Sequence, residues 1–250
     1  MVKNNLRIAC LLLLMLIVVV PTSVVAKGGS PAKKPFVIEE ATIEDLQKAL
    51  ASGQLTSEAL VKFYLQRIDE IDKAGPHLNS IITVNPHALE TAIELDKERK
   101  TKGPRGPLHG IPVILKDNYD TADMPTTGGS ASLKDTVPVK DAFMAKKLRD
   151  AGAIILAKGN MDEWAHGGAP GPGKPGGANG YSSSGGQTLN PYKLNRGPSG
   201  SSSGPAAAVA ANLAVVGMGT DTLGSIRGPV ASNALVGIKP TLGLTSRSGI

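Results

Sequence analysis

Apolar residues recur along this chain in two rhythms, one helical and one continuous, and the two alternate. Thr42 and Asp45 have capping-box spacing, and the helix they open runs to Ser52 and stops at Gly53. Thr56 or Ser57 caps a second helix whose apolar positions Leu60, Tyr64, Ile68 and Ile71 recur at helical spacing until Gly75-Pro76. Ile81–Val84 reads as a short strand, and Pro86–Lys100 as a helix with a solvated charged face. Ile111–Leu115 is an uninterrupted apolar run that ends abruptly at Lys116-Asp117-Asn118, the pattern of a strand buried on both sheet faces. Asp141–Ala151 has amphipathic helix character, and Ala153–Ala157 is another buried-strand run. Pro205–Ala211 reads as a small-residue helix with Pro in its first turn, followed by a strand over Ala214–Met218. Helix-then-strand alternation of this kind predicts an α/β layer architecture, with no internal repeat.

Between these elements lie two glycine-rich segments. Gly167–Gly204 is a long Gly/Ser/Pro loop without apolar periodicity, a length that inside a domain is usually functional or disordered. Gly219–Pro229 is a second turn rich in Gly, Thr and Ser. At the other end, Lys3 and Arg7 precede the apolar run Ile8–Val20, and Val24-Val25-Ala26 fits a small-residue cleavage site. The run is shorter than the ~20 residues a membrane-spanning helix needs. Residues 1–26 are therefore expected to be a cleaved signal peptide and residues 27–39 a polar lead. The mature protein is expected in the secretory pathway, with no membrane span.

Composition sharpens this picture. With 41% hydrophobic residues but only 3% aromatic, the core must be aliphatic. Cys10 is the only cysteine and lies inside the signal, which excludes disulfides, thiolate catalysis and cysteine metal sites from the mature chain. Without Lys3 and Arg7 the formal charge falls from +6 to +4. The remaining cations are scattered, and few aromatics are available to stack bases, so no nucleic-acid partner is expected. No N-x-S/T sequon is present.

The chemistry-bearing signal is the pair of serine turns, Pro198-Ser199-Gly200-Ser201-Ser202-Ser203-Gly204 and Gly219-Thr220-Asp221-Thr222-Leu223-Gly224-Ser225-Ile226-Arg227. Backbone N–H groups concentrated in such turns can form an anion-binding nest of the kind an oxyanion requires. Taken with Lys116, these turns resemble the amidase signature family. Further matched stretches are His109–Asp117, Gly159-Asn160-Met161-Asp162-Glu163-Trp164 and Val236-Gly237-Ile238-Lys239-Pro240-Thr241, all in family order from about Glu40 onward.

The resemblance implies an α/β fold, an α/β/α sandwich around a mixed β-sheet occupying residues 40–250. The family's domain continues past Ile250, so it also implies that the C-terminal portion is missing, with sheet edge and apolar surface exposed. It implies hydrolysis of a carboxamide through an acyl-enzyme, on a small-molecule or acyl amide substrate, with no cofactor and no metal. By it Ser225 is the nucleophile, Ser201, preceded by a cis peptide, relays the proton, and Lys116 is the base. Thr222, Leu223, Gly224 and Ser225 would supply oxyanion N–H groups, and Asp221 and Arg227 would brace the turn. A base must be neutral; a buried strand end depresses a lysine pKa by desolvation, and the nearest partners would be neutral hydroxyls. Ser199-Gly200 and Leu223-Gly224 stand where the family usually has Gly-Gly. Leu223 is expected to deny that position easy access to positive φ and to add bulk beside the nucleophile.

Several rival readings compete. Gly200–Gly204 satisfies G-x-S-x-G and would make Ser202 a nucleophile, but no apolar strand precedes it and no histidine follows His166. Gly168–Lys174 fits GxxxxGK, with Pro175 where a P-loop needs Ser or Thr, and Gly171–Gly176 matches GxGxxG without a strand before it. Asp162, Glu163 and His166 are read as polar loop residues rather than metal ligands, and His77, His87 and His109 as structural. Trp164 is expected to pack nearby or line the pocket. Two functional alternatives remain: a catalytically silent, signature-bearing binding or vestigial protein, and one component of a tRNA-dependent amidotransferase. The secretory signal argues against the second.

Overall fold

In the computed structural model, residues 36–166 and 179–250 are described. The signal segment 1–26, most of the polar lead and the two phosphate-loop-like matches around 168–176 lie outside them.

Helix α1 (Ile43–Ala51) starts where its cap predicts: Thr42 accepts a hydrogen bond from the Asp45 N–H through its side chain. Thr56 does the same for α2 (Ser57–Arg67), accepting from Ala59 N, which settles the choice of cap between Thr56 and Ser57. The expected continuation to Gly75 changes character at Ile68. Residues Ile68–Lys73 wind as a wider π-helix, and both Ile68 and Asp72 point inward. The Asp72 carboxylate there accepts from Ser80 N, Ser80 Oγ and Ile81 N. Those bonds tie the helix end to the start of strand β1 (Ile81–Val84). Helix α3 (Ala88–Lys102) leads to β2 (Pro112–Lys116), and α4 (Phe143–Asp150) to β3 (Ile154–Gly159).

The 179–204 part of the long loop contains a two-residue hairpin, β4 (Tyr181–Ser182) with β5 (Gly186–Gln187). Helix α5 (Ser203–Ala210) then starts two residues earlier than its proline suggests, and β6 (Val216–Met218) follows. Helix α6 (Arg227–Ser232) begins inside the segment expected to be a turn, because backbone N–H groups at Ile226 and Arg227 already have an acceptor in Asp221.

The main sheet has the order β1-β3-β2-β6 and is mixed: β1 is antiparallel to β3, while β2 runs parallel to both β3 and β6. Every residue of β2 and β3 is buried. Alternate β2 side chains enter different cores. Ile114 joins Leu46, Leu60, Leu156 and Ala208 beneath α1, α2, α3 and α5. Val113 and Leu115 join Tyr119, Ala145 and Ile155 beneath α4. This is the period-2 consequence of a strand covered by helices on both faces, and it makes the architecture an α/β sandwich around a mixed sheet.

Helix α5 sits very close to the sheet. A Cβ at Gly159 would fall 2.8 Å from Pro205 Cδ, so only glycine there admits the helix. Beyond β6 the segment 235–250 wraps a cavity of about 900 Å³, lined on its inner side by Asn118, Ser202, Thr220 and Asp221. Val236, Ile238, Leu242 and Leu244 in that segment are exposed, and β6 pairs only with β2 among the described residues. None of the described helices is long and apolar enough to cross a membrane.

Candidate active site

Lys116 is the last residue of β2, on the face that carries Ile114 and therefore on the side of α5. Its side chain is wholly buried. The ammonium nitrogen lies 2.7 Å from Ser201 Oγ and 2.7 Å from Thr220 Oγ1. Burial pulls its pKa down from 10.5 to about 7, against the carboxylates of Asp162 and Asp221, which act in the opposite sense. Two neutral hydroxyls are its only hydrogen-bond partners among the described residues, so no directly bonded carboxylate pins the charge in place.

Ser201 is reached through a cis peptide bond from Gly200 and is buried. Its hydroxyl has Lys116 as its one partner among the described residues. The adjacent Ser202 is engaged differently. Its Oγ donates to the Thr220 carbonyl and accepts from Thr220 N, both at 3.2 Å. A hydroxyl held by backbone on both sides is a structural tie, and this geometry lends no support to the nucleophile-elbow reading that the sequence already argues against. Preceding it, Ser199 adopts φ +67, left-handed backbone at a position where the family usually has glycine.

Ser225 is half-buried at the end of the second turn. Its carbonyl accepts from Ser202 N at 3.2 Å, which binds the two serine turns together, and its own hydroxyl has no hydrogen bond among the described residues. The turn is organised by Asp221. One carboxylate oxygen accepts from Gly224 N at 2.7 Å, the other from Ile226 N at 3.1 Å and Arg227 N at 3.2 Å, and the Arg227 guanidinium closes on both. Hydrogen bonds from the Arg227 side chain and these amides hold the Asp221 carboxyl well below the usual carboxylate range.

Two expectations change here. The Gly224 N–H, counted among the oxyanion donors, is already committed to Asp221, the short-range capture that Asp side chains make in turns. The amides of Thr222, Leu223 and Ser225 have no hydrogen-bond partner among the described residues. Leu223 was expected to strain the turn and crowd the nucleophile. Instead the positive φ falls on Gly224, at +126, while the Leu223 side chain is 94% exposed and points away from the packed interior.

Three further residues belong to this neighbourhood; all lie within the serine turn or the matched stretches, but none is assigned a site role from the sequence. Thr220 completes the surroundings of Lys116. Asp162, read as a polar loop residue, is buried: its N–H donates to the Ser201 carbonyl at 3.2 Å, one carboxylate oxygen accepts from Gly180 N, and the other has no partner. Burial raises its pKa. Asp117, directly after Lys116, lies 3.3 Å from the equally buried Lys158 and accepts from Thr127 and Gly129 N–H groups, fixing the chain as it leaves the strand. Glu163 accepts from Ser183 N, His166 is exposed, and no group of three metal-ligating side chains occurs among the described residues. Trp164 is exposed in left-handed backbone, its ring over Gly128. His109 is buried, with Nδ1 accepting from Arg105 N and Nε2 on the Leu95 carbonyl.

Residues 59–250 match the family described as Amidase. The chain belongs to the amidase family. Among curated proteins it is 46% identical to a probable amidase of Arabidopsis thaliana, over 86% of this chain and 41% of that protein. It is 42% identical to one component of the glutamyl-tRNA(Gln) amidotransferase of Prochlorococcus marinus, over 84% of this chain and 40% of that one. Among solved structures, the peptide amidase of Stenotrophomonas maltophilia superposes with a TM-score of 0.81 at 49% identity, covering 86% of this chain and 43% of its own. The chain thus spans about two fifths of the length of the relatives it matches.

Proposed function

We propose that this amidase-family chain carries the hydrolytic centre of a carboxamide hydrolase working through an acyl-enzyme. Ser225 Oγ attacks the amide carbonyl carbon, and its proton passes to Ser201 as the Ser201 proton passes to neutral Lys116. The C–N bond then breaks as Lys116 returns a proton through Ser201 to the departing nitrogen, giving ammonia or an amine. Water repeats the sequence on the acyl ester to release the acid and Ser225. The free N–H groups of Thr222, Leu223 and Ser225 are the donors for the carbonyl oxygen as it becomes an oxyanion. Asp221, bridged by Arg227, holds the turn that presents them.

The observation that carries this reading is the setting of Lys116: fully buried, facing only hydroxyls, with a pKa of about 7. A lysine so placed is about half neutral at pH 7 and can accept a proton, whereas a solvated lysine is almost wholly protonated there. The experiment is a fluorophosphonate probe. It is expected to label Ser225, and both Ser225→Ala and Lys116→Ala are expected to abolish labelling. Labelling that persists in Ser225→Ala, or that maps to Ser202, overturns the assignment.

The name of one structural relative, a peptide amidase, points the substrate toward peptide amides, and a panel of peptide amides against simple aliphatic amides tests that choice. For location, Lys3, Arg7, the apolar run Ile8–Val20 and the small residues at Val24–Ala26 support a secreted protein. Amino-terminal sequencing of exported protein is expected to begin at Lys27.

A further inference from the structure

We propose that Thr220 is a positioning residue for Lys116: its hydroxyl oxygen accepts one lysine N–H and so turns the lysine lone pair onto Ser201. The proposal rests on the hydrolytic reading above and adds to it the element that decides which hydroxyl the base deprotonates.

The need for such an element follows from counting protons. A neutral amine has two N–H donors and one lone pair, and a general base must aim that lone pair at the hydroxyl whose proton it takes. Ser201 Oγ and Thr220 Oγ1 are both hydroxyl oxygens at 2.7 Å, so distance alone does not choose between them. Their surroundings do. Ser201 is buried and its hydroxyl has no partner besides Lys116 among the described residues. Once the lysine is neutral, the Ser201 proton therefore has one acceptor, the lysine nitrogen, and leaving it unbonded would cost a buried donor its partner.

Thr220 is placed in the opposite way. Its oxygen already receives the Asn118 side-chain amide at 3.1 Å, which favours the acceptor role. The residue lines the cavity of about 900 Å³, into which its own proton can turn. Its main chain is held by Ser202 Oγ on both the N–H and the carbonyl, which fixes the Thr220 backbone against the Ser201 loop. Thr220 therefore accepts and Ser201 donates. The charged groups around this lysine are Asp162 beside the Ser201 loop, Asp221 in the nucleophile turn, and the Lys158–Asp117 pair on the neighbouring strand. None of them donates to or accepts from its nitrogen among the described residues, so the hydroxyls alone set its orientation.

The test compares wild type with Thr220→Val, Thr220→Ala and Thr220→Ser, reading both the pH dependence of fluorophosphonate labelling at saturating probe and the titration of Lys116 by NMR of its ε-carbon. Val replaces the hydroxyl with a methyl of similar shape, and Ala removes it without adding bulk. Both are expected to lower the limiting rate by about tenfold, because the lone pair is no longer held on Ser201. Both are also expected to move the Lys116 midpoint down by about one pH unit, since the ammonium form loses an acceptor. Thr220→Ser is expected to keep both within about twofold and a few tenths of a unit. A purely structural role would not move the midpoint. An unchanged NMR midpoint in Val and Ala overturns the proposal whatever the activity. So does a wild-type limiting rate in them while Lys116→Ala remains inert. Wild-type labelling in Lys116→Ala would instead strike at the hydrolytic reading, leaving the NMR titration to judge Thr220.

Discussion

The nitrogen of Lys116 and the hydroxyl of Ser201, 85 residues apart in the chain, meet at 2.7 Å in a buried setting. β2 supplies the first and the loop entering α5 the second. They meet because Gly159 lets α5 lie directly on the sheet, so the loop before the helix is delivered to the end of the strand. The electrostatics of the site follow from that packing, since the same contact that brings the hydroxyl to the amine also removes water from it.

Burial of Lys116 has a stability signature of definite sign. Its folded pKa, about 7, lies below the unfolded value of 10.5, so between these values the unfolded chain binds more protons. The cost is complete below about pH 7 and is relieved as pH rises toward 10.5. Its size is up to about 5 kcal/mol. Lys116→Met is expected to raise stability at about pH 6 and to lose that advantage at about pH 10, as measured by urea unfolding at the two values. The same lysine sets the acid limb of wild-type labelling, with a midpoint near 7.

Asp221 and Arg227 differ in what they hold. Asp221→Ala strips acceptors from three backbone amides and is expected to cost about 2–3 kcal/mol and to abolish Ser225 labelling. Arg227→Met loses only a pair whose cationic side chain is largely exposed, so it is expected to destabilise less than Asp221→Ala, with labelling reduced but measurable. Equal losses in thermal melts and labelling would show that the carboxylate does not organise the turn.

Lys158 and Asp117 form a fully buried ion pair beside the site. Lys158→Met leaves Asp117 charged and without its cation, expected to cost about 3–5 kcal/mol. The double change Lys158→Met with Asp117→Asn is expected to be less destabilising than the sum of the singles. A double-mutant cycle measures this directly.

At the two places where this chain lacks a family glycine, the backbone tells them apart. Leu223 needs no positive φ and is exposed, so Leu223→Gly is expected to leave the labelling rate within about twofold. Ser199 does sit at positive φ, so Ser199→Gly is expected to stabilise by up to about 1 kcal/mol. Chemical denaturation of the two variants separates them, and stabilisation by Leu223→Gly alone would reverse the assignment.

Much of this fold was legible in the chain. The run Ile111–Leu115, the cap at Thr42 and the break at Lys116 each report a local event: a strand covered on both faces, a helix start, an apolar run meeting chemistry. Periodicity encodes these because burial on a helix or strand repeats with the backbone. The order of the matched stretches fixed the family, and with it the expectation that Lys116, Ser201 and Ser225 belong together. What tertiary packing alone decided was the choice among identical groups. Ser201, Ser202 and Ser203 are alike in sequence, and only the approach of β2 and the Thr220 backbone makes one hydroxyl face an amine and the next a main-chain tie. The burial of Asp162, the capture of the Gly224 amide by Asp221 and the outward exposure of Leu223 arise in the same way. Each depends on which direction one side chain or N–H points once separate segments meet. A linear pattern of apolar and polar residues carries no information about that direction.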